Sequence, residues 1–141
     1  MRRNASARWQ GSAIDGSGVL SVDSGTLKET PYSFKARFGD GRGTNPEELL
    51  AAAHAGCYTM ALSLALVNRG CHPETIETKA RLTMDQDSAS WTITSIHLET
   101  KARVPGLDGP TFARVAEETK VNCPVSRVLN ATVTLDAALL V

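Results

Sequence analysis

Asn45-Pro46-Glu47-Glu48-Leu49-Leu50 followed by Ala51-Ala52-Ala53-His54-Ala55-Gly56-Cys57-Tyr58-Thr59-Met60-Ala61-Leu62-Ser63 is the stretch on which the fold turns. Asn45 is a good helix N-cap, Pro46 suits the first helical position, and Glu48 stands where a capping-box carboxylate reaches back. From Leu49 to Asn68 there is no Asp, Glu, Lys or Arg, and Gly70 and Pro73 then end the segment. This predicts one long helix over 45–69. An uncharged run of that length raises the question of a membrane span. Its composition argues otherwise: it is mostly Ala, holds His54, Gly56, Tyr58, Thr59, Ser63 and Asn68, and lies between β-like segments. A helix apolar on nearly every face is buried on nearly every face. One sheet in a chain this short covers one side, so the other side is expected to pack on a second copy.

Upstream, Ala7-Arg8-Trp9-Gln10, Val19-Leu20-Ser21-Val22 and a third run through Tyr32, Phe34 and Ala36 alternate as half-buried strands do. Asp15-Gly16-Ser17-Gly18 and Asp23-Ser24-Gly25 supply the turns, giving an N-terminal β meander over 1–38. Downstream, Ile76, Thr78, Ala80, Leu82 and Met84 alternate with polar residues in a strand with one wet face. A second strand, Trp91 to Val104, slips phase between Ile93 and Ile96, which predicts a bulge near Thr94-Ser95. Thr111 to Val121 reads as a helix, a short helical turn begins at Pro124, and Ala131 to Leu139 as the last strand. The whole is a single α+β domain over 1–141 with mainly antiparallel sheets, its 73–141 part a ββαβ region.

Composition excludes several classes. The chain has 141 residues, with 15 Lys and Arg balanced by 15 Asp and Glu. No basic surplus exists to bind nucleic acid or an anionic membrane, and 5% aromatic residues is too few for a base-stacking platform. Arg2 and Arg3 are not followed by an apolar run, so no secretory signal is expected. Three cysteines fit no disulfide scaffold and point to a reducing cytoplasm.

Cys57 and Cys71 are fourteen residues apart, about 21 Å if the helix is continuous, and cannot bond within one subunit. Cys71, in a Gly-Cys-His-Pro turn, reads as a small hydrophobe. Cys123 is the remaining intramolecular partner for Cys57. In Asn122-Cys123-Pro124 it falls at a helix N-cap, a position that fits both a stabilised thiolate and a buried cysteine. Cys57, mid-helix among alanines, reads as structural unless a cation is brought to it. His54 and Cys57 at i, i+3 are half a metal site, but no C-x-x-C or H-E-x-x-H spacing completes it, and no metal is expected. His54 reads instead as a satisfied histidine at a subunit contact.

Gly43-Thr44-Asn45-Pro46-Glu47-Glu48-Leu49-Leu50, with Ala52-Ala53-His54-Ala55-Gly56-Cys57 and Met60-Ala61-Leu62-Ser63, resembles the osmotically inducible protein C (OsmC) family, which includes the organic hydroperoxide resistance (Ohr) proteins. Asn122-Cys123-Pro124-Val125-Ser126-Arg127-Val128-Leu129 matches its second signature, and Pro31-Tyr32-Ser33-Phe34, Arg37-Phe38 and Val104-Pro105-Gly106 follow in family order. The His-Ala-Gly-Cys run is closer to the OsmC branch. The resemblance implies an intertwined α+β homodimer built around long central helices, with sites at the subunit interface. It implies a thiol peroxidase for small organic hydroperoxides that binds no cofactor and is recycled by an external lipoyl-type dithiol or lipoylated protein. Cys57 falls on the peroxidatic cysteine, Cys123 on the resolving one, and Arg37 and Glu47 on the charged pair that serves the sulfur. Phe38, Tyr58 and Met60 are the candidates for an apolar substrate wall. Glu47 is ten residues from Cys57, so a continuous helix would require residues from both chains at each site. The alternative from another class is a redox-responsive stress or binding protein that uses the same cysteine pair as a switch without turnover.

Overall fold

The computed structural model describes residues Met1–Val141, and its contacts gather into two compact units, Met1–Leu49 and Leu50–Val141. In the first, strands β1 (Ala5–Gln10), β2 (Ser17–Val22) and β3 (Thr30–Tyr32) form an antiparallel sheet in that order. Gly18 lies between Trp9 and Tyr32, whose ring centroids are 5.2 Å apart. A Cβ there would stand 2.7 Å from the Trp9 ring, so the aromatic pair requires glycine.

The meander stops short of residue 38. Phe34–Phe38 form a short helix, α1, rather than the end of a third strand. Ser33, itself extended, caps α1 by accepting the Ala36 N–H at 3.0 Å. Phe34 and Phe38, one turn apart, stack at 4.6 Å, a contact a strand would not allow.

Helix α2 spans Pro46–Val67 without a break. Asn45 caps it as expected, its Oδ1 accepting the Glu48 N–H at 2.8 Å. The capping box is not closed, because the Glu48 carboxylate accepts the Thr44 hydroxyl. At the other end Gly70 adopts φ +77 and the Cys71 N–H reaches back to the Leu66 carbonyl at 3.0 Å, a Schellman ending.

The second unit is built on a three-stranded sheet, β4 (Thr75–Gln86), β5 (Trp91–Arg103) and β6 (Thr132–Leu140), in that order. β4 and β5 are antiparallel, and Thr83 faces Ser95 while Met84 faces Ile93, so Thr94 is the bulged residue. β6 is parallel to β5, an exception to the antiparallel expectation. Parallel neighbours need a long crossover. Helices α3 (Gly109–Asn122) and α4 (Pro124–Val128) provide it. Asp108 caps α3 through the Thr111 N–H at 2.8 Å.

The core gathers Tyr58, Leu62 and Leu66 of α2, Ile96, Leu98 and Ala102 of β5, and Phe112, Val115 and Ala116 of α3. On α2 only the i, i+4 row His54, Tyr58, Leu62, Leu66 is buried. The opposite side keeps Met60 72%, Leu64 61% and Val67 41% exposed. By length and composition α2 could cross a bilayer. Its buried row is instead locked into a protein core, and its Thr59 hydroxyl bonds Thr78 Oγ1 of β4 at 2.8 Å.

Candidate active site

Cys57 lies in the middle of α2, half-buried. Cys123 is wholly buried and occupies a joint, being at once the C-cap of α3 and the N-cap of α4. Its N–H closes α3 on the Thr119 carbonyl at 2.8 Å, and Pro124 opens α4 behind it. This brings the Cys123 thiol to donate to Cys57 Sγ at 3.2 Å. Both cysteines are thiols.

Burial pushes the Cys57 thiol above its ordinary value, the Val125 N–H directed at the sulfur lowers it, and the Cys123 thiol raises it further. The first turn of α4 therefore serves Cys57 and not its own cap residue, where sequence position had aimed it. No cation is among these causes.

Arg37 and Glu47 form a two-pronged ion pair in the first unit. Arg37 Nε donates to both carboxylate oxygens at 3.0 and 3.1 Å, and Nη2 to Oε1 at 2.6 Å. The Glu47 side chain is 14% exposed and that of Arg37 37%, so this is a partly shielded, bidentate pair rather than a solvated one. Arg37 also lies 5.2 Å from the Phe38 ring centroid. Beside it Trp9, Ala13, Tyr32, Ser33, Phe34 and Pro46 close a hollow of about 230 Å³ with Arg37 in its wall.

Of the apolar wall expected from the sequence, Phe38 stands beside Arg37 and Met60 lies on the open side of α2. Tyr58 does not belong to it. Its ring is fully buried and its hydroxyl donates to the Ala116 carbonyl at 3.2 Å, so it is a core residue whose phenol burial holds protonated. Trp9, Tyr32 and Phe34 were not anticipated. Their signal was present in the aromatic content of the meander next to Arg37.

His54 is also corrected. It is wholly buried within the chain, with Nε2 2.7 Å from Ser126 Oγ and Nδ1 without a partner. Burial lowers its pKa and keeps the ring neutral. A proton on Nε2, donated to Ser126, leaves only a lone pair unsatisfied at Nδ1 rather than an orphaned N–H. No group of three or more His, Cys, Asp or Glu side chains converges anywhere in the chain.

The first unit thus carries a bidentate Arg37–Glu47 pair, and the second a close thiol pair beside a bulged hairpin, in an α+β fold. Residues 39–138 match the family described as OsmC-like protein. Over 136 residues, 96% of this chain and 95% of the relative, the sequence is 44% identical to peroxiredoxin OsmC of Escherichia coli strain K12. It is 34% identical over 101 residues, 69% of each chain, to an organic hydroperoxide resistance protein-like sequence of Staphylococcus aureus strain USA300. The fold matches an OsmC-like protein of unknown function from Vibrio cholerae with a TM-score of 0.78 at 13% identity, covering 97% of this chain and 99% of that one. The chain belongs to the OsmC-like family.

Proposed function

We propose that this protein is a thiol peroxidase that reduces small organic hydroperoxides to alcohols. The observation that carries the reading is the 3.2 Å pairing of a half-buried thiol, Cys57, with a wholly buried one, Cys123. The names of its relatives, a peroxiredoxin and an organic hydroperoxide resistance protein-like sequence, support it. Cys57 thiolate attacks one peroxide oxygen, the O–O bond breaks, and the departing alkoxide takes a proton to become the alcohol. Cys57 is left as sulfenic acid. The Cys123 thiol then displaces hydroxide from that sulfur, a disulfide forms and water leaves. An external dithiol of the lipoyl type restores both thiols by exchange and departs as its own disulfide. No bound cofactor is required, and the chemistry suits a reducing cytoplasm.

The thiolate needs a cation, since burial pushes the Cys57 thiol upward. Arg37, held in place by Glu47, is the candidate, and its guanidinium would also stabilise the alkoxide. Helix α2 is unbroken between Glu47 and Cys57, and ten residues of helix span about 15 Å. We therefore assign the charged pair of one copy to the thiol of another, in a homodimer. The exposed Met60, Leu64 and Val67 side of α2 gives such a dimer an apolar surface to bury. The hollow beside Arg37, with Phe38 nearby, suits an alkyl or aryl group and gives hydrogen peroxide nothing to bury.

The test is consumption of cumene hydroperoxide and of hydrogen peroxide with a lipoyl dithiol, by the wild type and by Cys57→Ser. Sustained turnover of the organic peroxide, lost in the variant, is the expected result. A single stoichiometric burst would make the protein a redox switch instead.

A further inference from the structure

Helix α4 has five residues and buries none of them, yet it leads directly on from Cys123. Its one side-chain hydrogen bond is that of Ser126 to His54. His54 lies one turn before Cys57 on α2, so the two share a face. Residues 123–126 thus touch α2 at three points. The Cys123 thiol donates to Cys57 Sγ at 3.2 Å, the Val125 N–H points at the same sulfur, and Ser126 pairs with His54 at 2.7 Å. The first two depend on the state of Cys57 and change when it is oxidised. The third does not.

We propose that His54 is a positioning residue for disulfide formation: through Ser126 it holds α4 against α2, so that Cys123 meets oxidised Cys57 before a second peroxide does. The inference deepens the peroxidase reading and rests on it for its biological meaning. His54 is suited to holding rather than to proton transfer, because Nε2 is occupied and Nδ1 is shut off from solvent. The step it assists is Cys57–SOH plus Cys123–SH giving the disulfide and water; the S–S bond forms as the S–O and S–H bonds break. The sulfurs must close from 3.2 Å to about 2.05 Å. A segment anchored beyond the thiol can make that short approach without leaving the helix.

The test reads the approach of Cys123 without any peroxide, in a Cys71→Ser background so that only two thiols respond. Dithiobis-nitrobenzoate reacts first at the more accessible Cys57, releasing one thionitrobenzoate; Cys123 then displaces the second and forms the disulfide. Ser126→Ala and His54→Gln are each expected to slow the second release about fivefold, the effect of one ordinary hydrogen bond, and to leave the first unchanged. The double variant should be no slower than the slower single one, and Ser126→Thr, which keeps the hydroxyl, should match the wild type. Second release at the wild-type rate in both single variants, or equal slowing of both releases, would overturn the proposal. With cumene hydroperoxide, the same variants should accumulate proportionally more Cys57 sulfinic acid for each peroxide consumed. A wild type that releases both equivalents and consumes no hydroperoxide would refute the peroxidase and leave the positioning role standing.

Discussion

The sulfurs of Cys57 and Cys123 stand 3.2 Å apart although 66 residues separate them in the chain. One belongs to the middle of a 22-residue helix and the other to the joint between two others. Cys123 is fully buried, and Cys57 is half-buried on a helix whose row His54, Tyr58, Leu62, Leu66 is locked into the core. On the proposed function, a disulfide between them would have only a short approach to make, and resolution is expected to follow oxidation quickly.

The two cysteines should fail differently. Cys57→Ser is expected to consume no organic peroxide at all. Cys123→Ser should consume peroxide until each Cys57 is oxidised and then stop, with Cys57 recovered as sulfinic acid by mass spectrometry. Sustained turnover by Cys123→Ser with only the dithiol present would remove it from the resolving role.

Arg37→Ala and Cys57→Ser should each be inactive as pure proteins. If Arg37 serves the partner's thiol, mixing the two under conditions of subunit exchange rebuilds one complete site in each mixed dimer. Activity should then recover to about a quarter of the wild type, as random pairing in a twofold dimer requires. Mixtures that stay inactive would place the whole site in one chain. Arg37→Ala should also raise the midpoint of Cys57 alkylation against pH by about one to two units.

Met60, 72% exposed on the open side of α2, tests the dimer itself. Met60→Glu puts a charge on that apolar surface and touches no buried contact, so helix content by circular dichroism should be unchanged. Light scattering should show a monomer, with peroxidase activity lost. A monomer as active as the wild type would contradict shared sites.

Stability should depend on pH through His54. Burial lowers its folded-state pKa below the ordinary 6.5, so the unfolded chain takes up a proton that the folded chain does not. The contribution is complete above about pH 6.5 and is lost as pH falls toward the folded value, with a slope of at most ~1.4 kcal/mol per pH unit. Urea midpoints between pH 7.5 and 5, a range above the ordinary 3.8 of Asp87 and Asp108, should fall with acid in the wild type and less so in His54→Gln. Equal slopes would show that the imidazole is not held neutral.

Local signals carried much of this structure. The caps at Asn45 and Gly70 and the bulge at Thr94 are decided by neighbours within a few residues, and all three were legible in the sequence. Phe34 and Ala36 were not. Over five residues, spacing by two and spacing by four are both satisfied, and only the Ser33 cap decides for the helix. Strand direction is equally silent: β6 alternates the same way whichever way it runs, so its parallel pairing to β5 could not be read. Of the candidate site, both cysteines and the Arg37–Glu47 pair stood out by motif. The Ser126–His54 bond and the Val125 N–H did not, because each joins residues far apart in the chain by a contact that leaves no local pattern.

Cys123 ends α3 and begins α4 with no loop residue between them. The length of α3 therefore acts as a gauge for the thiol pair. Inserting or deleting one residue anywhere in Gly109–Asn122 would swing the thiol about 100° around the helix and shift it about 1.5 Å along the axis. A loop would absorb such a change; a rigid helix passes all of it to the sulfur. The exposed positions of α3 can take new side chains, but the number of residues in it sets where the Cys123 thiol meets Cys57.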